Sequence, residues 1–234
     1  MGISAVSHIA LRAAGARLGL AVAGFVGGFV SASATIGSMG GQAKENADVR
    51  NVAISGAVLA TVATVAQMFL VLAVTNLETC RAASIPLLFA GIAAVGYAVI
   101  FVARSSKSFT ATEPGLGRVF DLRLAIVFAV TISATLFLCG LLNRSYGDRG
   151  LLFGAALSGF ADTHATAISI ASLVAAGKMK AETAVMPILI GFTTNTMTKA
   201  IVAFTVGGRQ FAWRVLPGLI AVIAAAFLGF FFSR

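Results

Sequence analysis

Asp162 lies inside an apolar run of this 234-residue chain, residues 150–176. An ionised carboxylate at the centre of a bilayer costs at least about 2.5–3.5 kcal/mol on insertion scales, so it requires a partner, a proton, an ion or water. The residues around it offer polar atoms at helical spacing. At 100° per residue Asp162, Thr166 and Ser169 fall on one face, and so do Ser31, Thr35 and Ser38 near the start of the chain. In a later run Asn195 and Lys199 share a face four residues apart. If the two helices are antiparallel neighbours, Lys199 sits about one turn, roughly 5.4 Å, from Asp162 in depth. These residue types support the binding or passage of a small ion or polar solute. The hydroxyls supply oxygens, Asp162 the charge that selects or couples, and Asn195 and Lys199 tune that charge. A metal ion bound at Asp162 would be Mg2+ first, which takes oxygen ligands and keeps much of its water, although one carboxylate beside a lysine is thin provision for a divalent ion. His164 lies about 200° from Asp162 around an unbroken helix, so the two do not point at one small ligand. No His, Cys or Glu follows it at ligand spacing. That leaves a structural imidazole or a proton relay.

Each of these residues has a plainer role beside the functional one. Gly24/Gly28, Gly37/Gly41 and Ala155/Gly159 are small-xxx-small pairs that let helices approach, with Ser and Thr bonding across. Lys199 can snorkel to the interface, or pair with Asp162 for structure alone. Enzyme chemistry has little support. Ser158-Gly159 with His164 is similar to the dyad of rhomboid proteases, but Ala156 stands where their motif has its first glycine. No G-x-x-x-x-G-K-[ST], H-E-x-x-H or G-x-S-x-G motif occurs, so neither an enzyme nor a cofactor is expected.

The elements that must carry these residues are membrane helices. The chain is 59% hydrophobic and 11% charged, with a mean hydropathy of +0.97, against roughly 25% charged for a soluble domain. A helical crossing takes about 20 apolar residues. Seven stretches qualify, at about 18–40, 52–75, 84–103, 123–142, 150–176, 183–206 and 215–233. The breaks between them, Gln42 to Arg50, Asn76 to Arg81, Arg104 to Arg118, Asn143 to Arg149, Gly177 to Glu182 and Gly207 to Arg214, hold the turn and charge signals. The net charge of +9 follows from basic residues in these breaks, which argues against nucleic acid as a partner. Counted on alternate sides of seven spans, Lys and Arg number 7 and 9, too even to orient the protein; the four basic residues of 104–123 favour the cytoplasm for that loop. Cys80 and Cys139 cannot make a disulfide scaffold.

Sliding the sequence by 131 residues aligns 28–94 with 159–225 without a gap. It matches Gly28 with Gly159, Phe29 with Phe160, Thr35 with Thr166, Ser38 with Ser169 and Pro86 with Pro217. This predicts an internal duplication, and it makes the Ala32-Ser33-Ala34 triplet, which looks like a signal-peptidase site, a structural element instead. The expected organisation is an N-terminal segment at 1–17, a first three-segment repeat at 18–103, a loop and linker helix at 104–148, and a second repeat at 149–234. If every stretch crosses once the repeats run parallel; if the first segment of a repeat re-enters, they are inverted.

The motifs Gly28-Phe29-Val30-Ser31-Ala32-Ser33-Ala34-Thr35 and Gly159-Phe160-Ala161-Asp162-Thr163-His164-Ala165-Thr166, with Gly207 through Leu219, resemble an uncharacterised bacterial and archaeal membrane-domain family. That domain is often found C-terminal to the MgtC/SapB domain, and the resemblance covers roughly residues 18–233. It implies an association with magnesium and an MgtC/SapB-type partner, which would act in trans. The sequence is thus read as an all-α, multi-pass protein of the cell (inner) membrane, its partners being the bilayer, a second copy in a homodimer and that protein in trans. Its expected function is transport of a small ion or polar solute, with a bound cation such as Mg2+ as one candidate and a proton-coupled transporter of a small solute or anion fitting as well. The competing class is a non-transporting regulatory or assembly subunit.

Overall fold

The computed structural model describes residues 2–45, 50–104 and 149–233, together with positions 133, 137 and 141. The expected linker stretch 123–142, with Cys139, therefore falls almost wholly outside the described residues. The described elements are helices: α1 (Gly2–Glu45), α2 (Arg50–Thr75), α3 (Leu77–Arg104), α4 (Arg149–Ala161), α5 (Thr163–Ala175), α6 (Ala181–Thr205) and α7 (Gly208–Phe232). Five spans among the described residues are long and apolar enough to cross a membrane, at Val22–Glu45, Arg50–Thr75, Leu77–Phe101, Ala181–Thr205 and Gly208–Phe232. Large apolar side chains such as Val74, Ile92, Ile220 and Phe232 face outward, as lipid-exposed positions do. This is a membrane-spanning helical protein.

Two expectations need correction. The run 150–176 is not one unbroken helix but the two 13-residue helices α4 and α5, each roughly 20 Å long. The physical reason is Asp162: its backbone is extended (φ −158°, ψ 121°) and its carboxylate accepts a hydrogen bond from the His164 amide, so it caps α5 instead of continuing α4. The break expected over Gly207 to Arg214 shrinks to a tight turn at Val206–Gly207. Gly208 takes a positive φ of 75° there, and the basic residues that follow are already helical. Asn76 closes the α2–α3 turn in the same economical way, its Oδ1 accepting from the Thr79 amide at 2.8 Å.

The chain forms two compact units. Among the described residues the first takes in 2–45, 50–65, 91–104 and 199–222. Its core is built of small side chains, Ala32, Ala53, Ala57, Ala60, Ala98 and Ala203, around Ile36, Ile54 and Phe211. Gly24 lies directly on the Gly56 backbone and Gly28 on Ala60 and Ala63, the close approach that membrane helices use where hydrophobic burial drives nothing. The second unit takes in 66–90, 149–198 and 223–233. Met68, Leu72, Leu87, Leu151, Ala167, Ile170 and Ile188 fill its core, and Gly159 lies on Gly191 and Thr194. Helices α2, α3, α6 and α7 each contribute residues to both units.

Candidate functional site

The second unit holds the break at Asp162. Helical bonding reaches it from both sides, with the Asp162 amide donating to Ser158 O at 2.9 Å and the Thr166 amide to Asp162 O at 3.2 Å. Between them the chain turns sharply enough that the hydroxyls of Ser158 and Thr166 meet at 2.9 Å. Eight residues of straight helix would hold them about 12 Å apart. Asp162 Oδ1 accepts twice from His164, from its amide at 2.8 Å and from ring Nδ1 at 3.0 Å. The expectation that His164 faces away from Asp162 rested on an unbroken helix; at the start of a new helix the two side chains meet. The imidazole is 13% exposed and its Nε2 is buried without a hydrogen-bond partner among the described residues. Thr163, one residue before His164, donates its hydroxyl to Met68 Sδ of α2 at 3.7 Å.

The hydroxyls near the break are turned inward on their own helices. Thr166 donates to Asp162 O at 2.9 Å, Ser169 to Ala165 O at 2.8 Å, Thr193 to Leu189 O at 2.8 Å and Thr196 to Phe192 O at 2.8 Å. A hydroxyl whose hydrogen is spent on a carbonyl keeps its lone pairs, so these oxygens act as acceptors. Thr166 and Ser169 are fully buried and Asn195 nearly so. Gly191 leaves room for Thr166, whose side chain a β-carbon on Gly191 would strike.

In the first unit the bend recurs around Ser31. A β-carbon on Gly27 would touch the Thr35 hydroxyl eight residues on, which no straight helix permits. The Ser31 hydroxyl accepts from the Ala34 amide at 3.3 Å, and Thr35 donates to Ser31 O at 2.8 Å. The two polar stripes nevertheless differ. Ser31 and Ser38 are exposed and Thr35 half-buried, whereas Thr166 and Ser169 are inside. At the position where α6 has Gly191, α2 has Ala60, whose methyl group takes up the space beside the helix.

Lys199 is completely buried in the first unit and donates from Nζ to Thr64 Oγ1 at 2.8 Å; Thr64 passes its own hydrogen to Ala60 O at 3.1 Å. Asp162 is thus bonded to His164 and Lys199 to Thr64. Snorkelling does not apply to a side chain with no exposed surface. Thr64 and Gln67 escaped the sequence reading, and Ser158 entered it only beside Gly159 and His164 as a protease-like pair. The signal for Thr64 was present, since the 131-residue shift carries it onto Asn195.

Among the described residues no group of three His, Cys, Asp or Glu side chains is placed to hold a metal ion. A cavity of about 10 Å3, room for one water, lies in the first unit against Thr61, Tyr97 and Gly218, and none of the expected site residues lines it. Comparison with known families finds a match over residues 1–207 to a domain of unknown function. No curated protein and no solved structure matches the chain.

Proposed function

This chain belongs to the DUF4010 family, a domain of unknown function, and we propose that it is a membrane transporter or channel for a small ion or polar solute, working at the broken segment around Asp162. The observation that carries this reading is the break itself. An ionisable side chain caps a half-length helix inside an apolar segment, beside a buried hydroxyl pair and an imidazole. Transporters build substrate and ion sites from discontinuous helices because interrupted backbone is tolerated at membrane depth only where it lines a polar path or is buried in protein.

An internal duplication supports the reading. Under the 131-residue shift Ser31 corresponds to Asp162, and both carry a side-chain cap and a Thr-to-carbonyl bond four residues on. Gly28 on Ala60 and Ala63 corresponds, residue for residue, to Gly159 on Gly191 and Thr194. The same shift carries the unit boundary after Val65 to 196, two residues from the boundary after Thr198. It carries the one after Ala90 to 221, one residue from that after Val222.

A non-transporting regulatory or assembly subunit, acting with an MgtC/SapB-type protein, is the second reading. The hydroxyls spent on their own helices and the glycine-on-glycine contacts favour it. The two separate in proteoliposomes screened for uptake of Mg2+, other divalent ions, protons and small amino acids. Transport predicts a flux that Asp162→Asn abolishes while the protein stays helical and monodisperse. Unchanged flux in Asp162→Asn removes that residue from the mechanism, and no flux for any solute favours the regulatory reading. Mg2+ belongs in the screen as cargo, moving with much of its water.

A further inference from the structure

We propose that Asp162 and His164 form the proton-binding site of this transporter, with the imidazole held as its Nδ1–H tautomer and Nε2 as the atom that takes up and releases the proton. The inference rests on the transport reading above and names its coupling ion. An ionised carboxylate can only accept, so the 3.0 Å contact to Asp162 Oδ1 places the ring hydrogen on Nδ1. The same oxygen receives the His164 amide at 2.8 Å, so side chain and backbone are clamped by one acceptor. Nε2 is then left with its lone pair, buried and without a partner among the described residues. A purely structural histidine at this depth would use both nitrogens, as buried polar atoms generally do.

The charge balance suits a site that works inside a membrane. Without the proton the pair carries −1 from Asp162 and 0 from His164. A proton taken from water or from the solute adds to Nε2, the Nδ1–H···Oδ1 bond stays in place, and the pair becomes neutral overall, its cheaper state in an apolar setting. The reverse step returns the proton without any change of partner. Among the described residues the elements beside α5 in its unit bring few other titratable groups, with Lys178 and Lys180 on the connection to α6. The part of α2 from Ala66 has none. Arg149 begins α4, Glu182 lies at the start of α6, and Glu78, Cys80 and Arg81 fall within the first five residues of α3. Among the described residues the charged contact to His164 is that of Asp162.

The chain has two histidines, so a His8→Gln background labelled with 15N-histidine reports His164 alone. In lipid bilayers near neutral pH we expect Nδ1 protonated and Nε2 bare, with the added proton appearing on Nε2 as pH falls. Asp162→Asn removes the anion that fixes the tautomer, so Nε2–H becomes populated. In vesicles loaded with a pH dye, His164→Gln should lose the proton movement that accompanies solute uptake in the parent protein. An Nε2–H tautomer in the parent protein, or a spectrum indifferent to Asp162→Asn, overturns the proposal whatever the flux does. Solute uptake with no accompanying proton movement also overturns it and leaves the transport reading standing. Absence of any solute flux sinks the transport reading, while the nitrogen spectrum still decides whether the pair binds its proton as described.

Discussion

Asp162 serves two purposes that substitution can separate. As a cap it needs only a short side chain with an acceptor oxygen, and at the corresponding place within α1 the Ser31 hydroxyl likewise accepts a backbone amide, that of Ala34. Asp162→Asn and Asp162→Ser should therefore unfold within about 0.5 kcal/mol of the parent, while Asp162→Ala loses about 0.5–2 kcal/mol with the cap; thermal or detergent-denaturant unfolding reads the difference. As a charge it has no such substitutes, which is why flux should fail in the two variants that still cap. Lys199 makes a second case. Its ammonium is wholly buried, and the Thr64 hydroxyl is one of the groups that accept from it, at 2.8 Å. Thr64→Val removes an acceptor from the buried charge and should cost about 1–3 kcal/mol in the same assay.

Helix against helix, the packing depends on positions that lack a side chain. A β-carbon on Gly159 would meet the backbone of Gly191 and the hydroxyl of Thr194, so α4 and α6 cannot stay at their present separation. Gly159→Ala should destabilise the protein by about 1–3 kcal/mol, the usual cost of forcing extra volume into a packed contact. Gly96, in the middle of α3, has open space where its β-carbon would go. There Gly96→Ala should hold stability or raise it by up to about 1 kcal/mol through reduced backbone freedom in the unfolded chain. Unfolding both variants side by side tests whether close approach, rather than helix propensity, explains the glycines. The close contacts also account for a core so rich in alanine: helices that approach this nearly have no room for leucine at the seam.

At the scale of the molecule the question is how many times the chain crosses. The segment at 149–175 is two short helices meeting at a sharp turn; if it re-enters without crossing, and the expected linker stretch at 123–142 counts as one, three crossings separate the α2–α3 turn from the α6–α7 turn. Glu78 and Arg209 mark those turns, are both exposed, and correspond under the 131-residue shift. In a background lacking Cys80 and Cys139, Glu78→Cys and Arg209→Cys should react with a membrane-impermeant thiol reagent from opposite sides of the membrane. Labelling of both from one side would mean that 149–175 crosses after all and that the two halves run parallel.

Composition and run length alone settled that this protein is helical and membrane-spanning, because an apolar stretch of about 20 residues has few other ways to satisfy its backbone in lipid. The polar positions were legible for the same reason: a carboxylate, an imidazole and a lysine in apolar runs stand out by their cost. Which of them touch was not legible. Helical periodicity assumes an unbroken helix, and over residues 150–176 it placed Asp162 and His164 on opposite sides and offered Lys199 as the partner. The aspartate instead ended one helix and began another, a choice that depends on whether the bent chain can pack, and so on Gly159 fitting over Gly191 and on the Ser158 and Thr166 hydroxyls meeting across the turn. Those are contacts between residues eight to thirty-two positions apart, and no local pattern encodes them.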